Sequence, residues 1–332
     1  MSGLNSIDVK LFEDTANDID IIKTIIDTDN NEEPFYILDV ADIVQKHQNW
    51  IAKMPRVSPH YAVKCNSDPT VIKILAALNA NFDCASEQEI RLVMKHGVSA
   101  ERIIFANPTK LPSHIRFAKM ANVFRTTVDS ESEILKMKDL FPEAKIVIRI
   151  RCDAKVTQVC FGTKFGCDPN EEAVRLIRLT RSLGLTLHGF SFHVGSPCGE
   201  MDAYNRGITM CKRLVAIAKT IGCNDVQMID IGGGFPGETD ARIDEPAEDR
   251  KFNSSVFGPT CDSLDCILKN VWLPELEIGD WLIWRDMGAY SIAASCSFNG
   301  FLPPVVYPFA RKSKWAAINA IRSLHELKES VE

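Results

Sequence analysis

Between about Ser58 and Gly234, short β-type apolar runs alternate with stretches of helical periodicity. The strand candidates are His60–Lys64, Asn81–Ala85, Arg102–Ala106, Val123–Asp129, Lys145–Ile150, Leu185–Val194 and Val226–Gly232. Amphipathic helices separate them, among them Thr70–Ala80, Glu87–His96, Ser130–Leu140, Glu171–Leu183 and Met201–Ile221. Regular strand–helix alternation predicts parallel βαβ units with helices covering a buried sheet.

Polar residues collect at the C-terminal ends of these strands: Lys64, Asp83, Asn107, Asp129, Arg149, His193 and the run Gly232-Gly233-Gly234. In a β/α barrel that face gathers catalytic groups. A doubly wound sheet with ordinary loop residues at its strand ends is the bland alternative. A closed β/α barrel has eight strands, and only seven are found. The stretch Glu238–Ser255 is polar and predicts no eighth strand or helix. Residues Val256–Phe301, rich in Gly, Pro, Trp and β-branched residues, predict a small β-domain. Phe35–Leu38 is a strand expected to join it, and Lys314–Glu332 reads as an amphipathic helix.

Composition narrows the function classes. Hydrophobic residues make up 45% and charged residues 25%, the balance of a globular protein. A net charge of −6 without a basic block argues against nucleic acid or anionic membrane as partner. No apolar run approaches the roughly 20 residues that span a bilayer, and the acidic start lacks the pattern of a signal peptide. The eleven cysteines are scattered with no C-x-x-C pair, which predicts a reduced, cytoplasmic chain.

Four segments carry candidate chemistry. Tyr61-Ala62-Val63-Lys64 ends a buried strand on a lysine. Desolvation there lowers an amine pKa and frees a nucleophile for Schiff-base capture; a surface lysine one residue past the strand fits equally. Gly232-Gly233-Gly234-Phe235-Pro236-Gly237 follows a strand, and consecutive glycines let backbone N–H groups approach a phosphate; a tight turn explains it too. His193 at a strand end is placed to stack on a flat aromatic group, with Ser196 open to a phosphate oxygen, or is a satisfied core histidine. Cys261-Asp262, on a Gly-Pro loop, pairs a proton donor with an anion suited to a cationic substrate, while most such thiols are inert.

In order along the chain, these motifs resemble the fold-type III pyridoxal-phosphate decarboxylases, in particular the eukaryotic ornithine decarboxylases. The matching stretches include Tyr61–Asn66, Phe82–Ser86, Arg102–Pro108, Lys164-Phe165-Gly166, Ser191–Ser196, Asp230–Gly237, Gly258–Leu264, Met287–Tyr290 and Phe298–Phe301. The resemblance implies an α/β fold, a TIM-like barrel of the alanine-racemase type missing its eighth βα unit. It also implies a C-terminal β-domain that includes the N-terminal segment. The expected boundaries are 1–40 for that segment, 41–243 for the incomplete barrel and 244–332 for the β-domain remnant.

The resemblance further implies pyridoxal 5'-phosphate as cofactor, held covalently by Lys64. Asp83 and Arg149 would line its ring and hydroxyl side, His193 would stack on its face, and Ser196, Gly233, Gly234 and Tyr290 would take its phosphate. Cys261 and Asp262 would enter the site of the partner subunit in a homodimer, one donating a proton and the other binding the distal amine of L-ornithine. The implied activity is decarboxylation of L-ornithine to putrescine in polyamine biosynthesis. An antizyme-inhibitor-like binding protein is the alternative, with residues Ser113–Leu140, which carry Arg116, Lys119, Arg125, Lys136 and Lys138, as the antizyme-binding surface. Lysine or arginine would also suit Asp262. The family's E-P-G-R motif, whose glutamate pairs with the pyridine nitrogen and whose arginine binds the phosphate, is absent; Glu245-Pro246 with Arg250 is only an echo at the wrong spacing. Its loss predicts weak turnover.

Overall fold

The computed structural model describes residues 8–235, 237 and 251–319. Two compact units emerge: residues 42–237, and the described residues before 42 together with those from 251 onward.

Strand β1 (Lys10–Phe12), helix α1 (Asp18–Asp29) and strand β2 (Phe35–Asp39) open the second unit. Asn17 caps α1: its side chain accepts the Asp20 N–H at 3.0 Å, and the Asp20 carboxylate accepts the Asn17 N–H at 3.1 Å. Helix α2 (Val40–Lys53) then leads into the first unit.

There the expected alternation is realised. Strands β3 (His60–Ala62), β4 (Asn81–Cys84), β5 (Ile103–Phe105), β6 (Arg125–Val128) and β7 (Lys145–Arg149) follow in order. They are separated by α3 (Pro69–Ala77), α4 (Glu87–Lys95), α5 (Pro112–Met120) and α6 (Glu131–Leu140). After short β8 (Thr157–Val159) come α7 (Glu171–Ser182), β9 (Thr186–Ser191), short β10 (Ser196–Cys198), α8 (Asp202–Ile221) and β11 (Met228–Asp230). β8 and β10 pair antiparallel by themselves. The others form one parallel sheet in the order β3-β4-β5-β6-β7-β9-β11. Among the described residues no strand joins β11 back to β3, so the barrel is open at seven strands.

Strand β5 and the middle of β7 are apolar runs buried on both faces, as covered parallel strands are. Phe82, Phe105, Ile146, Ile148, Leu187 and Phe190 are all buried. At about 25 cal/mol per Å² of apolar surface removed from water, each large side chain contributes on the order of 2–3 kcal/mol. Helix caps fix the strand-to-helix turns: Ser86 and Ser130 accept the Glu89 and Glu133 N–H groups, each at 3.3 Å. The structure adds α2 and α5 to the helices named from the sequence. α5 begins with Pro112 at its first turn and buries Ile115, Phe117 and Ala118.

The second unit departs from expectation in two places. The polar stretch read as lacking an eighth barrel strand nevertheless ends in a strand, β12 (Phe252–Phe257). β12 pairs antiparallel with β13 (Cys266–Leu273) rather than joining the barrel sheet. The expected β-domain is thinner than its composition suggested, since residues 274–304 hold no strand. Strand β14 (Val305–Arg311) lies between β1 and β2, parallel to both, so the first and last described strands share a sheet. Ile21, Ile25 and Phe309 form its core. The chain is helical from 312 to 319; the rest of the expected terminal helix, and the Glu245–Arg250 echo, lie outside the described residues. Among the described residues no helix is long and apolar enough to cross a membrane.

Candidate active site

Parallel strands put their C-terminal ends on one side, and the polar residues read there are brought together. Strand β3 stops at Ala62, two residues earlier than expected. Val63–Cys65 instead form a 3₁₀ turn, and the Tyr61 hydroxyl donates to the Asn66 carbonyl at 2.9 Å. The turn presents Lys64 at the strand end with its side chain about half exposed. Its Nζ lies 3.5 Å from Asp83 Oδ1, on neighbouring β4.

Asp83 is followed by Ala85, whose N–H donates to Glu89 Oε2 at 2.5 Å. Burial raises the Glu89 pKa, and the Ala85 N–H opposes this. Asn107, after β5, donates through Nδ2 to the Ala85 carbonyl at 3.3 Å. Beyond β6, the Asp129 carboxylate accepts the Gly166 N–H at 2.9 Å. This holds the neighbouring Phe165 ring beneath the Arg149 guanidinium, 4.7 Å from it. Burial lowers the Arg149 pKa, while Asp129, Asp230 and Asp83 pull it up.

His193 follows β9. Its Nδ1 accepts the Gly195 N–H at 3.1 Å, and its ring meets Phe161 edge-on at 4.7 Å. Burial, reinforced by Arg149 and Lys64, pushes its pKa down to about 4, so the imidazole is neutral near pH 7. Asp230, closing β11, accepts the Gly232 N–H at 2.8 Å. Its pKa is pushed up to about 6 by burial, against that hydrogen bond.

The glycine run is required by space. A Cβ on Gly234, which has φ +89°, would sit 2.0 Å from the Gly195 carbonyl oxygen; one on Gly232 would sit 2.3 Å from the Phe192 oxygen. Gly233 is different: a Cβ there would meet only His193, with Nε2 nearest at 3.2 Å. The Tyr204 hydroxyl donates to the Gly233 carbonyl at 2.9 Å, and its ring stacks on Phe235 at 4.6 Å. Ser196 starts β10, opposite Val159.

Lys64, Asp83, Arg149, His193, Ser196, Gly233 and Gly234 thus belong to the first unit. Cys261, Asp262 and Tyr290 belong to the second and are exposed. The Cys261 loop is built around Asp265, whose carboxylate accepts the Thr260 hydroxyl at 2.6 Å. The Cys261 N–H donates to Asn299 Oδ1 at 2.8 Å, and Asp262 Oδ1 accepts the Leu264 N–H at 2.9 Å. Phe161, Phe165 and Glu89 were not foreseen as neighbours of the site. Lys164-Phe165-Gly166 was visible as a motif, but nothing in its spacing assigns Phe165 to Arg149.

The donor set fits an aldehyde cofactor bearing a phosphate. It offers a primary amine beside a carboxylate, a flat neutral imidazole, and a glycine backbone that comes close to that imidazole. A model of the pyridoxal-dependent decarboxylase pyridoxal-binding domain matches residues 40–258, and one of the C-terminal sheet domain of such decarboxylases matches residues 234–288. Ornithine decarboxylase 2 of Drosophila melanogaster is 32% identical, covering 86% of this chain and 94% of that protein. The aligned span of 371 positions exceeds the 332 residues here, so that relative carries residues inside the matched span that this chain lacks. Antizyme inhibitor 2 of Xenopus laevis is 33% identical, covering 93% of this chain and 88% of that protein. A Selenomonas ruminantium lysine decarboxylase variant solved in complex with PLP superposes with a TM-score of 0.81 at 25% identity, covering 93% of this chain and 99% of that one.

Proposed function

From a chain that belongs to the pyridoxal-dependent decarboxylases and takes pyridoxal 5'-phosphate as cofactor, we propose an L-ornithine decarboxylase site that forms putrescine. The observation that supports it best is the Lys64 amine, 3.5 Å from Asp83 on the strand-end face that also carries neutral His193.

Bound there, pyridoxal phosphate supplies an electron sink for the charge left when a carboxylate departs as CO₂. Lys64 would hold it covalently, with Asp83 orienting the amine. Neutral His193 would pack against its ring without adding charge there, and Asp83 and Arg149, the latter braced by Phe165 and Asp129, would line the ring and its hydroxyl side. The Gly233 and Gly234 backbone and Ser196 would receive the phosphate, a role the family resemblance also gives Tyr290. In a homodimer with shared sites, Asp262 would take the distal ammonium of the amino acid by charge pairing. Cys261 Sγ would give the proton that replaces CO₂.

Among the described residues the barrel sheet has seven strands and stays open, and the motif that elsewhere in the family faces the pyridine nitrogen has no counterpart there. Turnover is therefore expected to be low. We assign residues 41–243 to the cofactor domain, 1–40 and 244–332 to the β-domain, and the protein to the cytoplasm, where its eleven cysteines stay free.

Borohydride reduction of cofactor-loaded protein should fix the label on Lys64, and CO₂ release should favour ornithine over lysine and arginine. A label on another lysine, or preference for a longer substrate, sinks this reading. The likeness to Antizyme inhibitor 2 favours a second reading, a non-catalytic antizyme-binding protein. Of the five cations on its candidate surface, Lys119 pairs with Glu143, Lys136 with Glu133, and Arg125 donates to the Glu101 carbonyl. Arg116 and Lys138 remain exposed. Antizyme capture without CO₂ release would select it.

A further inference from the structure

One buried ammonium has no part in the steps above. Lys110, in the loop after β5, has no exposed side-chain surface. Its Nζ donates to the carbonyls of Thr127 at 2.6 Å, Asn107 at 3.0 Å and Pro108 at 3.4 Å. Glu133 Oε1, also buried, is its counter-ion at 3.0 Å. The other oxygen of Glu133 pairs with Lys136 at 2.6 Å, and Lys136 Nζ donates to the Lys110 carbonyl at 2.7 Å. Burial holds the Lys110 pKa down to about 8, against the pull of Glu133.

A buried ion pair is a poor way to gain stability, because an apolar side chain of equal volume does as well without the desolvation cost. Direction is what the ammonium adds. Its three carbonyl partners come from two segments, the loop just after β5 and the C-terminal end of β6. The Asn107 side chain continues one arm to the Ala85 carbonyl, two residues from Asp83. Thr127 continues the other, two residues before Asp129, which holds Gly166 and so Phe165 under Arg149.

We propose that Lys110 is a positioning residue of the decarboxylase site, clamping the ends of β5 and β6 so that Asp83 and Asp129 stand correctly against Lys64 and Arg149. This rests on the functional reading above, but the clamp can be tested apart from it.

The test is amide hydrogen exchange on cofactor-free Lys110→Met, with Lys46→Met, at the exposed pair with Asp42, as control. The expected result is a folded variant whose 83–86 and 161–167 amides each exchange at least about tenfold faster, with α7 and α8 unchanged. Lys46→Met should match the parent throughout. In loaded protein, turnover should fall on the order of 100-fold at little-changed KM, as small misplacements do, while Lys64 is still labelled. Unchanged exchange of either segment in a folded variant overturns the proposal. Where Lys110→Met does not fold, Glu133→Gln removes the carboxylate that opposes burial, so the Lys110 pKa falls further and the charge that draws the three carbonyls together is weakened. It should loosen the same two segments, and their unchanged exchange would equally overturn the clamp. If the parent shows no Lys64 label, the functional reading fails whatever the exchange data show.

Discussion

The Gly195 N–H donates to His193 Nδ1 at 3.1 Å, which leaves the single proton of the neutral imidazole on Nε2, beside Gly233. The backbone thus fixes the tautomer, and burial fixes the charge.

The pH dependence of stability should show it. The folded pKa of His193, about 4, lies below its ordinary 6.5. The unfolded chain therefore binds the proton first as pH falls. Stability should be lost between about 6.5 and 4, by on the order of 3 kcal/mol at most. Urea titrations from pH 7 to 4 on the parent and His193→Phe test this; equal slopes in both would rule it out.

Asp230 should act in the opposite sense. Its folded pKa, about 6, is above the ordinary 3.8, so the folded state holds the proton longer. Its contribution to stability is full below 3.8 and lost as pH rises through about 6. The two windows overlap and partly cancel. Asp230→Asn should therefore leave the His193 acid loss steeper than in the parent, measured by the same titrations.

The glycines separate fold from site. Gly234→Ala places a Cβ against the Gly195 carbonyl at positive φ, and should destabilise by about 2–4 kcal/mol. Gly233→Ala crowds only His193, and should cost about 1 kcal/mol or less in thermal denaturation while weakening cofactor affinity at least tenfold. Gly237→Ala meets nothing and should change neither. Equal losses at 233 and 234 would refute the distinction.

Lys64→Met should abolish borohydride labelling and the absorbance of lysine-bound cofactor. Its side chain is half exposed and its partner Asp83 is a quarter exposed, so the ion pair is worth under about 1 kcal/mol. A large drop in melting temperature would mean that Lys64 is chiefly structural.

The barrel face was legible because strand period and strand direction suffice to gather Lys64, Asp83, Asp129, Arg149 and His193: each ends an apolar run, and parallel strands align their ends. Lys110 was not legible. In Asn107-Pro108-Thr109-Lys110 it reads as a loop lysine, and its counter-ion lies 23 residues away on helix α6. Phe165 was hidden similarly, since Asp129 places it from 37 residues before Gly166. The small β-domain after the barrel was legible from composition, but where its strands fall was not, because β-branched and aromatic residues mark propensity, and pairing needs partners that propensity does not supply.

In the seven-stranded sheet every strand pairs with the sheet strand made just before it, and among the described residues no pairing reaches back to β3. Such a sheet can be laid down in order as the polypeptide leaves the ribosome, each βα unit docking on a finished edge. A closed barrel must hold its first strand in waiting until its last arrives. None of the described strands imposes that wait, so the cofactor-side residues from Lys64 to Arg149 can be in place while β9 and β11 are still being synthesised.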